Sequence, residues 1–246
     1  MPSGKRLDMV MVERGLTESR EKAQRLILAG KVRVKGETAH KASVKVKEEE
    51  TVEVEEGEKF VSRGGFKLEA GLEGFKVECS GRVCLDVGAS TGGFCDCLLQ
   101  RGAKRVYAVD VGGNLIAWKL RNDSRVVVIE KTNARYLSPS AIGEPVSLVT
   151  ADVSFISLTK VLPAAKSCAA PDADFVVLIK PQFEAGRDKV EKGGVVRDPA
   201  VRAAVVERIR QFAETELKAA WLGVLPSPIL GPAGNQEYLA HIRLKT

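Results

Sequence analysis

Arg82-Val-Cys-Leu-Asp86-Val-Gly88-Ala-Ser90-Thr91-Gly92-Gly93-Phe94 is the stretch on which the fold turns. A short apolar run ends in an aspartate, and a glycine-rich turn then leads into a helical pattern. Glycines in such a strand-to-helix turn let backbone approach a ligand closely and aim helix N-terminal amides at it. The spacing matches neither G-x-G-x-x-G nor G-x-x-x-x-G-K-[ST], so both phosphate fingerprints fail. Downstream, apolar runs at residues 105–110, 126–129, 146–152 and 175–180 alternate with helical patterns. That alternation predicts an α/β, Rossmann-like domain built on a doubly wound parallel sheet. Asp198 as N-cap and Pro199 at the first helical position open a long amphipathic helix, and strands at 221–225 and 238–244 close the domain.

Working outward, polar residues recur at one place. Asp86, Asp110, Asp152 and Lys180 each end an apolar run, and in a parallel sheet these ends open on the edge where ligands bind. At the end of the second strand Asp110 can accept hydrogen bonds from both ribose hydroxyls of a nucleoside. With no pyrophosphate fingerprint, S-adenosylmethionine is the nucleoside that fits best, its sulfonium favoured by Asp86 and Asp152. A dehydrogenase using NAD on the same fold is the competing enzyme reading.

The 246 residues allow one to two domains, and 44% apolar with 28% charged residues is the composition of an ordered globular protein. Five cysteines, an odd number without framework spacing, predict buried thiols in a reducing cytoplasm. Cys95 and Cys97 are one residue apart, and His40 and His241 are remote from them, so no metal is expected. No run reaches the length of a signal-peptide core or of the roughly 20 apolar residues that span a bilayer, so the expected location is cytoplasmic, with no membrane partner.

The net charge of +6 conceals a segregation. Residues 1–47 hold twelve Lys or Arg against five acids, whereas residues 48–58 hold seven acids and no base. Helices are predicted at 6–13 and 18–29, ended by Gly15 and Gly30, with Thr17 as the second N-cap. In 31–35 and 44–47 valines alternate with cations, giving strands with one apolar and one basic face. Clustered cations suit a phosphate backbone, and the absence of aromatics before residue 48 favours shape or duplex recognition over stacking.

Residues 5 to about 52 resemble the S-four-type RNA-binding domain, on Arg6-Leu-Asp, Val12-Glu-Arg-Gly-Leu, Ser19-Arg-Glu-Lys-Ala and Ile27-Leu-Ala-Gly-Lys-Val-Arg-Val. The whole chain resembles the TlyA-type family, also called hemolysin A, whose activity is ribosomal RNA 2′-O-methylation. The matching motifs are Val61-Ser-Arg-Gly-Gly-Phe-Lys67-Leu, Asp86 to Phe94, Asp152-Val-Ser-Phe-Ile-Ser-Leu158, Leu178-Ile-Lys180-Pro-Gln-Phe-Glu184 and Gly234-Asn-Gln-Glu237. The resemblance implies a small α+β RNA-binding domain (1–58), a linker (59–62) coupling it to catalysis, and a methyltransferase domain (63–246). It implies a tetrad on Lys67, Asp152, Lys180 and Glu237, although residue type alone would leave Lys67 and Glu237 as solvated charges.

For the cofactor, the resemblance implies Asp86, Gly88, Ser90, Thr91, Gly92, Gly93 and Phe94, then Asp110, Asn133 with the segment 130–133 near the adenine, and Asp152. For ribosomal RNA or the ribosomal subunit it implies Arg6, Arg20, Lys22, Lys31, Arg33, Lys35 and Arg63. The chain departs from the family at Gly113-Asn114-Leu115-Ile116, where Tyr-Gly-Gln-Leu is usual. Methyl transfer from a sulfonium needs no leaving-group activation, so alignment and removal of the ribose proton, most simply by Lys180 beside the cation Lys67, would be the enzyme's work. A membrane-active hemolysin and a non-enzymatic ribosome-assembly factor are the competing classes. The glycine-bearing stretch 184–197 is either a lid or a disordered loop.

Overall fold

The computed structural model describes residues 4–55 and 58–245, so Glu56 of the acidic run lies outside the described residues. The chain forms two compact units, Met1–Lys59 and Phe60–Thr246. In the first, helices Leu7–Glu13 and Arg20–Leu28 bury Leu7, Val10, Met11, Ala23 and Ile27 against Val32 and Val46. The second helix starts later than its sequence pattern suggests. Ser19, not Thr17, is its N-cap, accepting the Lys22 amide at 3.2 Å.

The alternating valine and cation segments form the strands Val32–Val34 and Lys45–Val46, which lie in different sheets. Val32–Val34 pairs with Glu37–Thr38 on one side and, inside the acidic run, with Val52–Val54 on the other. Lys45–Val46 pairs with Lys5–Arg6. The acidic run thus contributes a strand, with Glu53 directly opposite Arg33.

In the second unit the strands are β1 (Val83–Val87), β2 (Arg105–Val109), β3 (Val126–Ile129), β4 (Val146–Ala151), β5 (Ala169–Ile179), β6 (Ala219–Pro226) and β7 (Tyr238–Leu244). They form one sheet in the order β6-β7-β5-β4-β1-β2-β3, parallel except for β7, which runs against both neighbours. Side chains alternate between two cores, one on each face. Cys84, Val106, Leu148, Val176 and Leu239 face helices α1 (Gly64–Phe75) and α2 (Gly93–Gln100). Leu85, Tyr107, Val149, Val177 and Ala240 face α3 (Leu158–Ser167) and α4 (Pro199–Thr215).

Continuous apolar strands are what a sheet covered on both faces requires. β5 begins six residues before the expected 175, reaching back through Ala169 with an irregular register. Helix α4 starts as read, its Asp198 side chain accepting the Ala200 amide at 2.8 Å with Pro199 next. At the far edge, buried Asp174 gathers Arg82, His241 and Arg243, each at 2.8 Å, and these donors hold its carboxyl well below the usual carboxylate range. All five cysteines are buried free thiols. No described helix is long and apolar enough to cross a membrane.

Candidate functional site

Strand order reverses between β1 and β4, since the chain runs outward through β2 and β3 and then returns to the other side of β1. Loops after β1 and β4 therefore diverge and leave a crevice at the carboxyl edge. The register places their first residues side by side, with Val87 opposite both Val109 and Ala151. Gly88 stands at this crossing with φ +82°, and a Cβ on it would lie 2.6 Å from the Asp152 carbonyl oxygen. No other residue could hold both the left-handed backbone and the close approach.

Three cavities share this edge. One, of about 380 Å³, is lined by Gly88, Ser90, Asp110, Thr132, Asn133 and Asp152 among others. A second, of about 280 Å³, shares Gly88, Ser90 and Asp152 and is closed by Arg63, Lys67, Thr91, Gly93, Phe94 and Lys180. A third, of about 460 Å³, extends from Lys180 past Phe155, Phe183, Pro232, Asn235 and Glu237.

Asp110 lines the first cavity, and its two carboxylate oxygens accept the amides of Ser90 (2.8 Å) and Gly112 (2.7 Å). It thereby ties together the loops that follow β1 and β2. Each oxygen keeps lone pairs for a ligand. Asn133 lines the same wall, whereas Glu130 turns away to accept from the Leu115 amide (3.0 Å) and from Arg121 (2.7 Å). The departing segment 113–116 is therefore held from behind by Glu130, and Leu115 still reaches the cavity wall.

Asp86 lies beneath the loop, fully buried and outside all three cavity walls. Burial is the dominant influence and pushes its carboxyl up to about 7, opposed by the Thr150 hydroxyl that donates to it at 3.0 Å. Its other oxygen has no hydrogen-bond partner among the described residues. Gly92 likewise lines none of these three cavities; it is the left-handed residue from which α2 starts. An added Cβ on Gly93 would lie 2.9 Å from the Gly65 amide nitrogen, so α1 and α2 meet backbone to backbone here.

The four charged residues at the edge form two ion pairs. Lys180 Nζ lies 2.6 Å from Asp152 and donates to Ser154 Oγ at 2.9 Å. Lys67 Nζ lies 2.5 Å from Glu237, and both side chains are almost wholly buried. Glu237 arrives by an unexpected route. Because β7 is antiparallel, the residue before it, rather than the one after it, reaches the carboxyl edge, and Tyr238 pairs with Ile179 next to Lys180. Lys67 comes from the first turn of α1, whose Gly71 backs onto Leu239 and Val176 in the sheet.

Several residues here escaped reading from sequence. Buried Glu184 accepts from Ser157 Oγ and from the Leu158 amide, both at 2.7 Å, and pairs with Arg208 at 3.0 Å. It caps α3 from another segment and so fastens the Asp152 loop to the Lys180 loop. Asn235 donates to the Gly194 carbonyl (2.8 Å) and accepts from the Val196 amide (2.9 Å). The stretch 184–197 is accordingly pinned rather than loose, with Glu191 bridged to Val195. Phe155 is 91% exposed on a left-handed backbone (φ +62°), its ring 4.9 Å from that of Phe183. An exposed phenylalanine in that conformation is costly to keep and points to use.

In the N-terminal unit much of the basic face is already met by acids. Buried Asp8 binds Arg6 (3.0 Å), Arg20 (3.1 Å) and Gln24 (2.8 Å). Lys22 pairs with Glu18 and Lys35 with Glu50, each at 2.9 Å. Arg33 is exposed and Lys31 half-buried. The seven residues read as RNA-facing are thus not equivalent. Arg63 belongs to the second unit, on the wall of the 280 Å³ cavity.

The FtsJ-like methyltransferase family model matches residues 60–244, and the S4 domain model residues 5–52. The chain is 51% identical over 243 residues to the 16S/23S rRNA (cytidine-2′-O)-methyltransferase TlyA of Mycobacterium tuberculosis, covering 98% of this chain and 90% of that one. It is 45% identical to hemolysin A of Brachyspira hyodysenteriae, covering 96% and 98% respectively. A solved structure described as a candidate hemolysin from Streptococcus thermophilus matches with TM-score 0.75 and 41% identity, covering all of this chain and 90% of that one. With an S4 domain ahead of its methyltransferase part, the chain belongs to the FtsJ-like methyltransferases and, among them, to the TlyA and hemolysin A family.

Proposed function

We propose that this protein methylates the 2′-hydroxyl of a cytidine ribose in ribosomal RNA, using S-adenosylmethionine and its S4 domain for docking. The observation that carries this reading is the convergence of two lysine–carboxylate pairs, Lys180–Asp152 and Lys67–Glu237, on cavities adjoining the one that Asp110 lines. The residues present fit the cofactor. Gly88 leaves a cradle that a Cβ would fill, Asp110 offers a ribose acceptor, and the first two cavities are continuous through Gly88, Ser90 and Asp152. When bound, the cofactor supplies an electrophilic methyl on a sulfonium.

The chain's own residues do the remainder. Lys180 takes the ribose hydroxyl proton as the oxygen acquires the methyl, and Asp152 with Ser154 fixes its Nζ. Lys67 is a second cation on the same cavity wall. Glu237 holds Lys67 in place. Phe155 and Phe183 give the target base an aromatic platform, a contact worth about 1–3 kcal/mol per stacked base.

Supplying the full chain with methyl-labelled S-adenosylmethionine and ribosomal subunits from a strain lacking the enzyme tests the reading. The expected outcome is label in rRNA and a gap in the alkaline cleavage ladder at the modified cytidine. Label on a base, which leaves the ladder intact, overturns it.

A further inference from the structure

We infer that Arg63 is the residue that recognises the carboxylate of the cofactor's amino-acid tail, rather than an RNA phosphate. The inference rests on the cofactor reading above and extends it to the 280 Å³ cavity. That cavity joins the Asp110 cavity through Gly88, Ser90 and Asp152, so a ligand with its nucleoside beside Asp110 extends its other end here. The tail carries one ammonium and one carboxylate, and each needs a partner of opposite charge when taken from water.

Three cations line the cavity: Arg63, Lys67 and Lys180. Lys67 is committed to Glu237 at 2.5 Å and Lys180 to Asp152 at 2.6 Å. No ion pair holds the exposed Arg63 guanidinium among the described residues, so its charge is the one available. Arg63 immediately precedes α1, whose first turn contains no acid to compete for it. Its flank is set by the cofactor loop itself, with a Cβ at Gly64 falling 3.5 Å from the Phe94 ring. Planar, bidentate donation to a carboxylate is what arginine does better than lysine. Asp152, on the same wall, is the acid facing the ammonium.

Calorimetric titration of the full chain with S-adenosylmethionine and with its decarboxylated form separates the possibilities. Arg63→Met is expected to weaken S-adenosylmethionine binding about tenfold or more while leaving the decarboxylated form within about twofold of wild type. Arg63→Lys, which keeps the charge but not the fork, should fall between. Equal loss for both ligands, or no loss for either, overturns the assignment and leaves the cofactor reading standing. So does a loss confined to rRNA affinity, which would make Arg63 a phosphate contact. If the wild-type chain binds neither ligand, the cofactor reading itself fails and the assignment with it.

Discussion

Lys180 has three neighbours that define its chemistry: Asp152, Ser154 and the Phe183 ring at 6.0 Å. As the proposed base it must give up and regain a proton, which an arginine, always charged, does not do. Lys180→Ala and Lys180→Arg should therefore both lower methyl transfer by about 10²–10⁴-fold, with cofactor and rRNA dissociation constants within about threefold of wild type; retained turnover in the arginine variant would remove Lys180 as base. Asp86 makes a different prediction. An ordinary aspartate titrates near 3.9, whereas burial has moved this one up to about 7. The folded state then holds a proton that the unfolded chain has lost, so the contribution to stability is fully present below about pH 4 and is lost as pH rises through about 7. Asp86→Asn removes that dependence. Denaturant midpoints should show the variant gaining on wild type by about 2 kcal/mol between pH 5 and pH 8, and parallel profiles would show that Asp86 ionises freely in the fold.

Among the elements, α3 depends on a carboxylate that its own segment does not supply. Glu184 lies 26 residues beyond Leu158, whose amide it accepts, and no local capping pattern announces that link. Glu184→Ala leaves the Leu158 amide and the Ser157 hydroxyl without their acceptor and Arg208 with only the backbone carbonyl of residue 184, and should cost about 2 kcal/mol, read as a lowered denaturation midpoint together with reduced turnover; Glu184→Gln, which can still accept from Leu158, should recover part of both. Strands were legible from residue pattern because both faces of the sheet are covered, so each strand reads as an apolar run and a charged residue marks its end. Asp110, Asp152 and Lys180 follow directly from that logic. Glu237 does not, since its position at the edge depends on β7 running backwards, which an apolar run does not disclose. Lys67 needed the packing of α1 on the sheet, and Thr17 lost its expected cap to Ser19 because the helix begins two residues further on. Phe155 and Asn235 look like ordinary loop residues until the backbone angle of one and the partners of the other are known.

At the scale of the whole molecule, the total of +6 hides a segregation within the N-terminal unit, where a basic stretch 1–47 is followed by the acidic run 48–58. Within the N-terminal unit Arg6, Arg20, Lys22 and Lys35 have acidic partners, leaving Lys31 and Arg33 as the cations to test first. Replacing both with Gln in the full chain should weaken rRNA binding and reduce the slope of log affinity against log salt by about 1.5, with S-adenosylmethionine affinity unchanged; an unaltered slope would place the phosphate contacts elsewhere. The Lys67–Glu237 pair carries a consequence of another kind. Its members are 170 residues apart, one from the helix that precedes the sheet and one from the turn into the last strand. Closing so long a span is slow and comes late in folding. A chain that has formed β1 to β5 already owns its ligand crevice and the Lys180–Asp152 pair, yet it lacks the second lysine–acid pair. Competence for chemistry is therefore a property of the finished molecule, and a half-folded copy that captured cofactor would hold it without the means to spend it.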